Sequence, residues 1–129
     1  MTISLSDAGK RFNRDWIYRH LSFQFETGKS YAITGPNGSG KSTLLQALSG
    51  SMLLNEGQIE WKNENGVIDN EKIFQYISIC APYLEVIEEM TLTEFLQFHQ
   101  GFKHFLPGLD IKSVISIIGL EKAENKQIR

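Results

Sequence analysis

Apolar and polar residues alternate along Leu21-Ser22-Phe23-Gln24-Phe25, a period of two that predicts a half-buried strand. Glu26-Thr27-Gly28-Lys29 then reads as a turn into Ser30–Thr34, a short and mostly apolar run that predicts a buried strand. Further on, Leu44, Leu45 and Leu48 share one helical face, and Gly50 is placed to end that helix. Gly57–Trp61 predicts another strand. The Asn65-Gly66 pair followed by Val67-Ile68 predicts a hairpin, because that pair tolerates the positive φ such turns need. Tyr76–Cys80 is a third apolar run, halted by Pro82.

The second half has a different period. Thr91 and Glu94 have capping-box spacing, and Leu92, Phe95, Leu96 and His99 follow at helical intervals. Pro107-Gly108 breaks the chain. Asp110 can cap a second helix with Ile111, Val114, Ile115 and Ile118 on its apolar face and Gly119 as its terminator. The expected order is a mostly β segment, a helix, a hairpin, another strand and two packed helices. No internal repeat or interdomain linker interrupts it.

The candidate chemistry sits between the first strands and the first helix. Gly35-Pro36-Asn37-Gly38-Ser39-Gly40-Lys41-Ser42-Thr43 satisfies the phosphate-loop pattern, with Gly35, Gly40, Lys41 and Ser42 at the fixed positions. A turn poor in side chains lets backbone N–H groups converge on phosphate oxygens, and the following helix adds its positive end. Lys41 offers a mobile cation to the β- and γ-phosphates, and the Ser42 hydroxyl is sized for Mg²⁺. A strand before the loop and a helix after it are the context this motif requires.

Bulk properties narrow the class. A chain of 129 residues supports one domain and one core. A hydrophobic fraction of 41% and a charged fraction of 22% are those of a soluble globular protein. The net charge of −2 argues against broad binding to nucleic acid or anionic lipid, so no nucleic-acid partner is expected. The lone cysteine, Cys80, rules out an intrachain disulfide, fits a reducing compartment and reads as a buried structural thiol. No apolar run approaches the roughly 18 residues a membrane span needs, and a cytoplasmic location is expected.

The run Leu21 to Gly50, with Ser-Phe-x-Phe-Glu-x-Gly-Lys leading into the loop and Leu-Ser-Gly closing the helix, resembles the nucleotide-binding domain of ATP-binding cassette (ABC) proteins. Pro36-Asn37 inside the loop is a narrower signal than the general pattern. Gly57-Gln58-Ile59 is similar to that family's post-helix strand, and Glu88–Leu96 resembles the start of its helical subdomain. The resemblance implies an α/β P-loop NTPase fold. Residues 1–129 would be the N-terminal portion of one ABC ATPase domain, with 1–82 its ATP-binding core and antiparallel β portion and 83–129 the start of the helical subdomain. It also implies MgATP held by Gly35 to Thr43, with Lys41 on the phosphates and acting in catalysis, Ser42 on the metal, and Thr43 on the α-phosphate side. An aromatic upstream of the loop would stack on adenine; Phe12 falls at that position, with Trp16 as runner-up. The implied partners are a transmembrane permease subunit, near residues 83 to 99, and a second copy of the domain. The protein would then be peripheral to the cytoplasmic membrane.

Two departures qualify the resemblance. Where the family places a glutamine after the Tyr76–Cys80 strand, Pro82 or Tyr83 stands here, and neither replaces an amide that both donates and accepts. Gln75 precedes the run and reads as surface. The residues present also include no Leu-Ser-Gly-Gly-Gln-type signature, no apolar strand ending in Asp-Glu and no later switch histidine. Leu48-Ser49-Gly50 is a helix end and Glu121 a solvated end charge, while His20, His99 and His104 lie in no motif. This chain is therefore expected to be the front part of a larger protein, or a truncated reading frame, able to hold ATP with little means of hydrolysing it. A transporter ATP-binding subunit is the leading reading; a non-catalytic nucleotide-binding module and a soluble, non-transport cassette ATPase are the alternatives.

Overall fold

Thr2–Phe12 (β1) and Asp15–Glu26 (β2) pair antiparallel, and β1 pairs on its other side with Glu56–Asn63 (β3). The chain turns back at Asn65-Gly66 into Gly66–Ile68 (β4), giving one sheet in the order β2-β1-β3-β4. Helix α1 spans Lys41–Leu48, α2 Leu92–Phe102 and α3 Ile111–Ile117, with 3₁₀ turns at Asn70–Gln75 and Glu121–Ala123. The structure is a computed structural model that describes residues 1–81 and 84–128. It divides in sequence after Ile79 into two compact units.

In the first unit the sheet is bent at Asp7. Leu5 faces Phe23 and Ala8 faces Leu21, so β1 spends one residue more than β2; between Ser6 and Gly9 it also spends one more than β3. Residues three apart on a regular strand point to opposite faces. The extra residue cancels that, and Leu5 and Ala8 are buried together against Leu48 of α1. Asp7 itself adopts φ 48°, which an Asp tolerates; its N–H donates to Ser22 Oγ at 2.9 Å and its carboxylate meets His20 Nδ1 at 2.7 Å. Opposite the bend, a Cβ on Gly57 would lie 2.2 Å from the Asp7 carbonyl oxygen, so only glycine fits there.

Helix α1 is joined to the sheet at its far end. The Trp61 indole Nε1 donates to the Leu48 carbonyl at 2.8 Å, in a buried position, and satisfies one of the last-turn carbonyls that a helix leaves without a partner. Trp61 also packs with Ile68 and Ile73. A Cβ at Gly50, which ends the helix with φ 77°, would meet Ile73 Cγ2.

The second unit rests on two caps. Thr91 Oγ1 accepts from the Glu94 N–H at 3.2 Å while the Glu94 carboxylate accepts from the Thr91 N–H at 2.8 Å, the expected capping box. Asp110 Oδ1 accepts from the Ser113 N–H at 2.7 Å at the start of α3. Ile115 of α3 is the largest fully buried side chain among the described residues, and Thr93 Oγ1 donates to the Glu124 carbonyl at 2.9 Å.

Four expectations need correction. Ser30–Thr34 and Tyr76–Cys80 enter no strand ladder. An extended run becomes a strand only beside a partner edge, and the ladders of this sheet join β1, β2, β3 and β4 alone. Ile33 and Ile77 instead line one apolar groove. Leu45 is turned into that groove and stays 44% exposed, so the α1 stripe is buried at Leu48 and only partly at Leu44. Cys80 is exposed rather than buried, because no ladder folds its segment into a core. Pro82 and Tyr83 lie outside the described residues.

Replacing Trp61 with Phe keeps an aromatic ring, though a smaller one, and leaves the Leu48 carbonyl buried and unpaired. The expected loss is about 1–3 kcal/mol, seen as a lower urea midpoint at unchanged slope. Bonds from Thr91 hold Glu94, and bonds from Ser113 hold Asp110, below their ordinary values of 4.5 and 3.8. Depressed carboxylates stabilise the folded form above those values and lose that contribution as pH falls through the lower folded ones. Helical circular dichroism should therefore decline below about pH 4.5, and Glu94→Gln should remove part of that acid-dependent decline.

Candidate functional site

The loop from Gly35 to Gly40 closes on itself before α1 begins. The Ser39 N–H donates to the Pro36 carbonyl at 3.2 Å, and the Lys41 ammonium donates to the carbonyls of Gly35 at 2.9 Å and Pro36 at 2.8 Å. The lysine thus spans the loop and points back along it. Gly40 is the N-cap of α1 with φ 89° and ψ 12°, a left-handed conformation natural to glycine. No side chain caps the helix, and its first internal bond runs from the Leu44 N–H to the Gly40 carbonyl at 2.9 Å. The first-turn N–H groups are left without intrahelical acceptors, beside a lysine and a serine.

These groups open on a cleft of about 410 Å³ lined by Asn37, Gly38, Gly40, Lys41, Ser42, Thr43 and Ile17. Gly35, Pro36 and Ser39 form the loop's outer turn, where a Cβ at Gly35 would meet Ser39 Oγ at 2.7 Å. The cleft therefore gathers backbone donors, one ammonium and two hydroxyls, and no carboxylate among the described residues. Such a set suits a polyanion that brings its own oxygen ligands to a hard cation. Among the described residues no cluster of three or more His, Cys, Asp or Glu could hold a metal by itself.

Ile17 is the lining residue that sequence reasoning did not reach. It sits where β2 spends two residues against one of β1, between the pairs Lys10–Tyr18 and Arg11–Trp16. Such a bulge re-aims a side chain and carries no composition signal of its own. Of the two aromatic candidates, Trp16 is engaged within the sheet: the guanidinium carbons of Arg19 and Arg11 lie 4.4 Å and 5.4 Å from its ring. Arg19 is itself held by both carboxylate oxygens of Glu56, at 2.8 Å and 2.9 Å, and its hydrogen bond keeps Glu56 below the ordinary carboxylate range. Phe12 pairs with Asp15 at the mouth of the β1–β2 hairpin, half exposed, with the Lys10 ammonium 5.3 Å from its ring. It does not line the cleft.

Residues 18–128 match the family model described as ABC transporter, which is most of the chain. The chain belongs to that family. Over 127 residues it is 31% identical to the cytochrome c biogenesis ATP-binding export protein CcmA of Agrobacterium fabrum, covering 93% of this chain and 57% of that protein. It is similar in fold to a solved ATP-binding subunit of an ABC transporter, with a TM-score of 0.78 at 19% identity over 98% of this chain and 54% of the other. A dimeric ATP-binding cassette in a post-hydrolysis state with ADP and Pi superposes with a TM-score of 0.73 at 17% identity, covering 97% of this chain and 61% of the other. The fold is accordingly that of the ABC cassette P-loop NTPases, and the chain spans about half the length of the curated relatives it matches.

A methyl group at Gly40 should be doubly unfavourable. Its Cβ would lie 2.1 Å from Ile17 Cγ2, on a backbone with φ 89°. Gly40→Ala is expected to cost about 1–3 kcal/mol of local strain and to raise amide exchange through the first turn of α1, measured by hydrogen exchange.

Proposed function

We propose that Gly35 to Thr43 binds MgATP, and that the chain is the front portion of an ABC transporter's ATP-binding subunit. The observation that carries this is the loop–helix junction: an uncapped α1 N-terminus behind a glycine with left-handed backbone, opening with Lys41 and Ser42 on a cleft free of acidic side chains. Backbone N–H groups of the loop and first turn receive the phosphates, and Lys41 exchanges its two carbonyl partners for β- and γ-phosphate oxygens. The Ser42 hydroxyl takes one position on Mg²⁺, and Thr43 serves the α-phosphate side. Phe12, exposed at the hairpin mouth, is the stacking surface proposed for adenine.

Hydrolysis belongs, in this reading, to the complete domain. The cleft as described supplies binding groups and no carboxylate to polarise water. Family membership and the likeness to an export ATP-binding protein support coupling to transport through a membrane permease, and the dimeric cassette supports pairing with a second copy. No helix among the described residues is long and apolar enough to cross a membrane.

Calorimetric titration of the 129-residue chain with MgATP tests the site. Lys41→Ala removes charge-assisted bonds worth about 1.5–3 kcal/mol, so affinity should fall at least about tenfold. Removing Mg²⁺ with a chelator should weaken binding as well. An unchanged affinity in Lys41→Ala would reject the assignment.

A further inference from the structure

Gly40 lies under a side chain from a distant part of the chain. The place a Cβ would occupy on Gly40 is taken by Ile17, with Cγ2 at 2.1 Å, Cβ at 3.6 Å and the backbone oxygen at 3.9 Å. Ile17 reaches this point because it is the extra residue of the bulge between Tyr18 and Trp16. Its β-branch restricts χ1, so the Cγ2 methyl is held stiffly. The bulge is itself anchored on both sides: the Arg11 N–H donates to Asn55 Oδ1 at 3.0 Å, Lys10 Nζ donates to the Leu53 carbonyl at 2.7 Å, and Trp16 lies beneath Arg19. Gly40, in turn, is both the end of the phosphate loop and the N-cap of α1.

We infer that Ile17 is a positioning residue for the phosphate loop: its Cγ2 methyl packs into the space left by the missing Cβ of Gly40 and holds that residue in the left-handed conformation from which the loop and the first turn of α1 aim their N–H groups. A ligand does not have to touch Ile17 for this to operate. The methyl limits the motion of the one residue where loop and helix join, and the β1–β2 hairpin thereby governs the phosphate grip. This rests on the reading of the loop as a nucleotide site, but its structural half is independent of any ligand.

The test is a double-mutant cycle between Ile17 and Gly40, read in two ways. Hydrogen exchange at the Leu44 amide, which bonds the Gly40 carbonyl at 2.9 Å, needs no nucleotide. Ile17→Ala should speed that exchange by about tenfold, whereas Ile17→Val, which keeps Cγ2, should stay within about threefold of wild type. Titration with MgATP and with magnesium triphosphate should show Ile17→Ala weakening both by similar factors, because the methyl acts on the loop rather than on the nucleoside. Gly40→Ala should be severe beside Ile17 and recover about fivefold or more when Ile17→Ala removes the clash, the non-additivity expected of touching residues.

Strictly additive effects, or Ile17→Val matching Ile17→Ala, would overturn the inference. So would a loss confined to MgATP, which would make Ile17 a nucleoside contact instead. A protein that binds no nucleotide at all, yet shows the exchange pattern, would reject the proposed function and leave the Ile17 role standing.

Discussion

The hydrogen bond from the Trp61 indole to the Leu48 carbonyl is the link on which the arrangement of the first unit depends. Helix α1 is short, spanning Lys41–Leu48, and a helix of that length has little stability of its own in water. It exists because its apolar face packs on Leu5 and Ala8 and because its final turn is joined to β3 through the Trp61 side chain. Fixing the far end of α1 to the sheet also fixes its near end, and the phosphate loop is attached there. Position at the site is thus set from behind, by a buried donor that meets a carbonyl otherwise left without a partner.

The sheet contributes the rest through departures from regularity. The bend at Asp7 turns Leu5 and Ala8 to one side, and the bulge at Ile17 turns a methyl toward Gly40. Both are one-residue slips in register, and each changes which face the side chains beyond it present. The polar groups around them act at the surface. Asp7 with His20 is an exposed hydrogen-bonded pair and Arg19 with Glu56 an exposed ion pair, of a kind that contributes little to stability.

Much of the second unit was legible because its signals are local. A Thr and a Glu three apart announce a capping box, and Asp110 before an isoleucine repeat announces a helix start; each is satisfied within one turn of chain. The β3–β4 hairpin was equally local, since Asn65-Gly66 carries its own turn chemistry. The runs at Ser30–Thr34 and Tyr76–Cys80 were misread for the opposite reason. Their composition suits strands, but a ladder needs a second edge, and a sequence run does not contain its neighbour.

By itself, the sequence determined the make-up of the loop: its glycines, a lysine and a serine at the helix start, and the Pro36-Asn37 pair that carries part of the resemblance to the ABC family. These are one-dimensional facts, because the loop is built from consecutive residues. The fold alone decided which side chain lies against Gly40, that Trp16 is taken up by Arg19 while Phe12 stays open, and that Cys80 faces solvent. Each of those outcomes depends on register between segments distant in sequence. A one-residue bulge changes register without leaving any mark on composition or period.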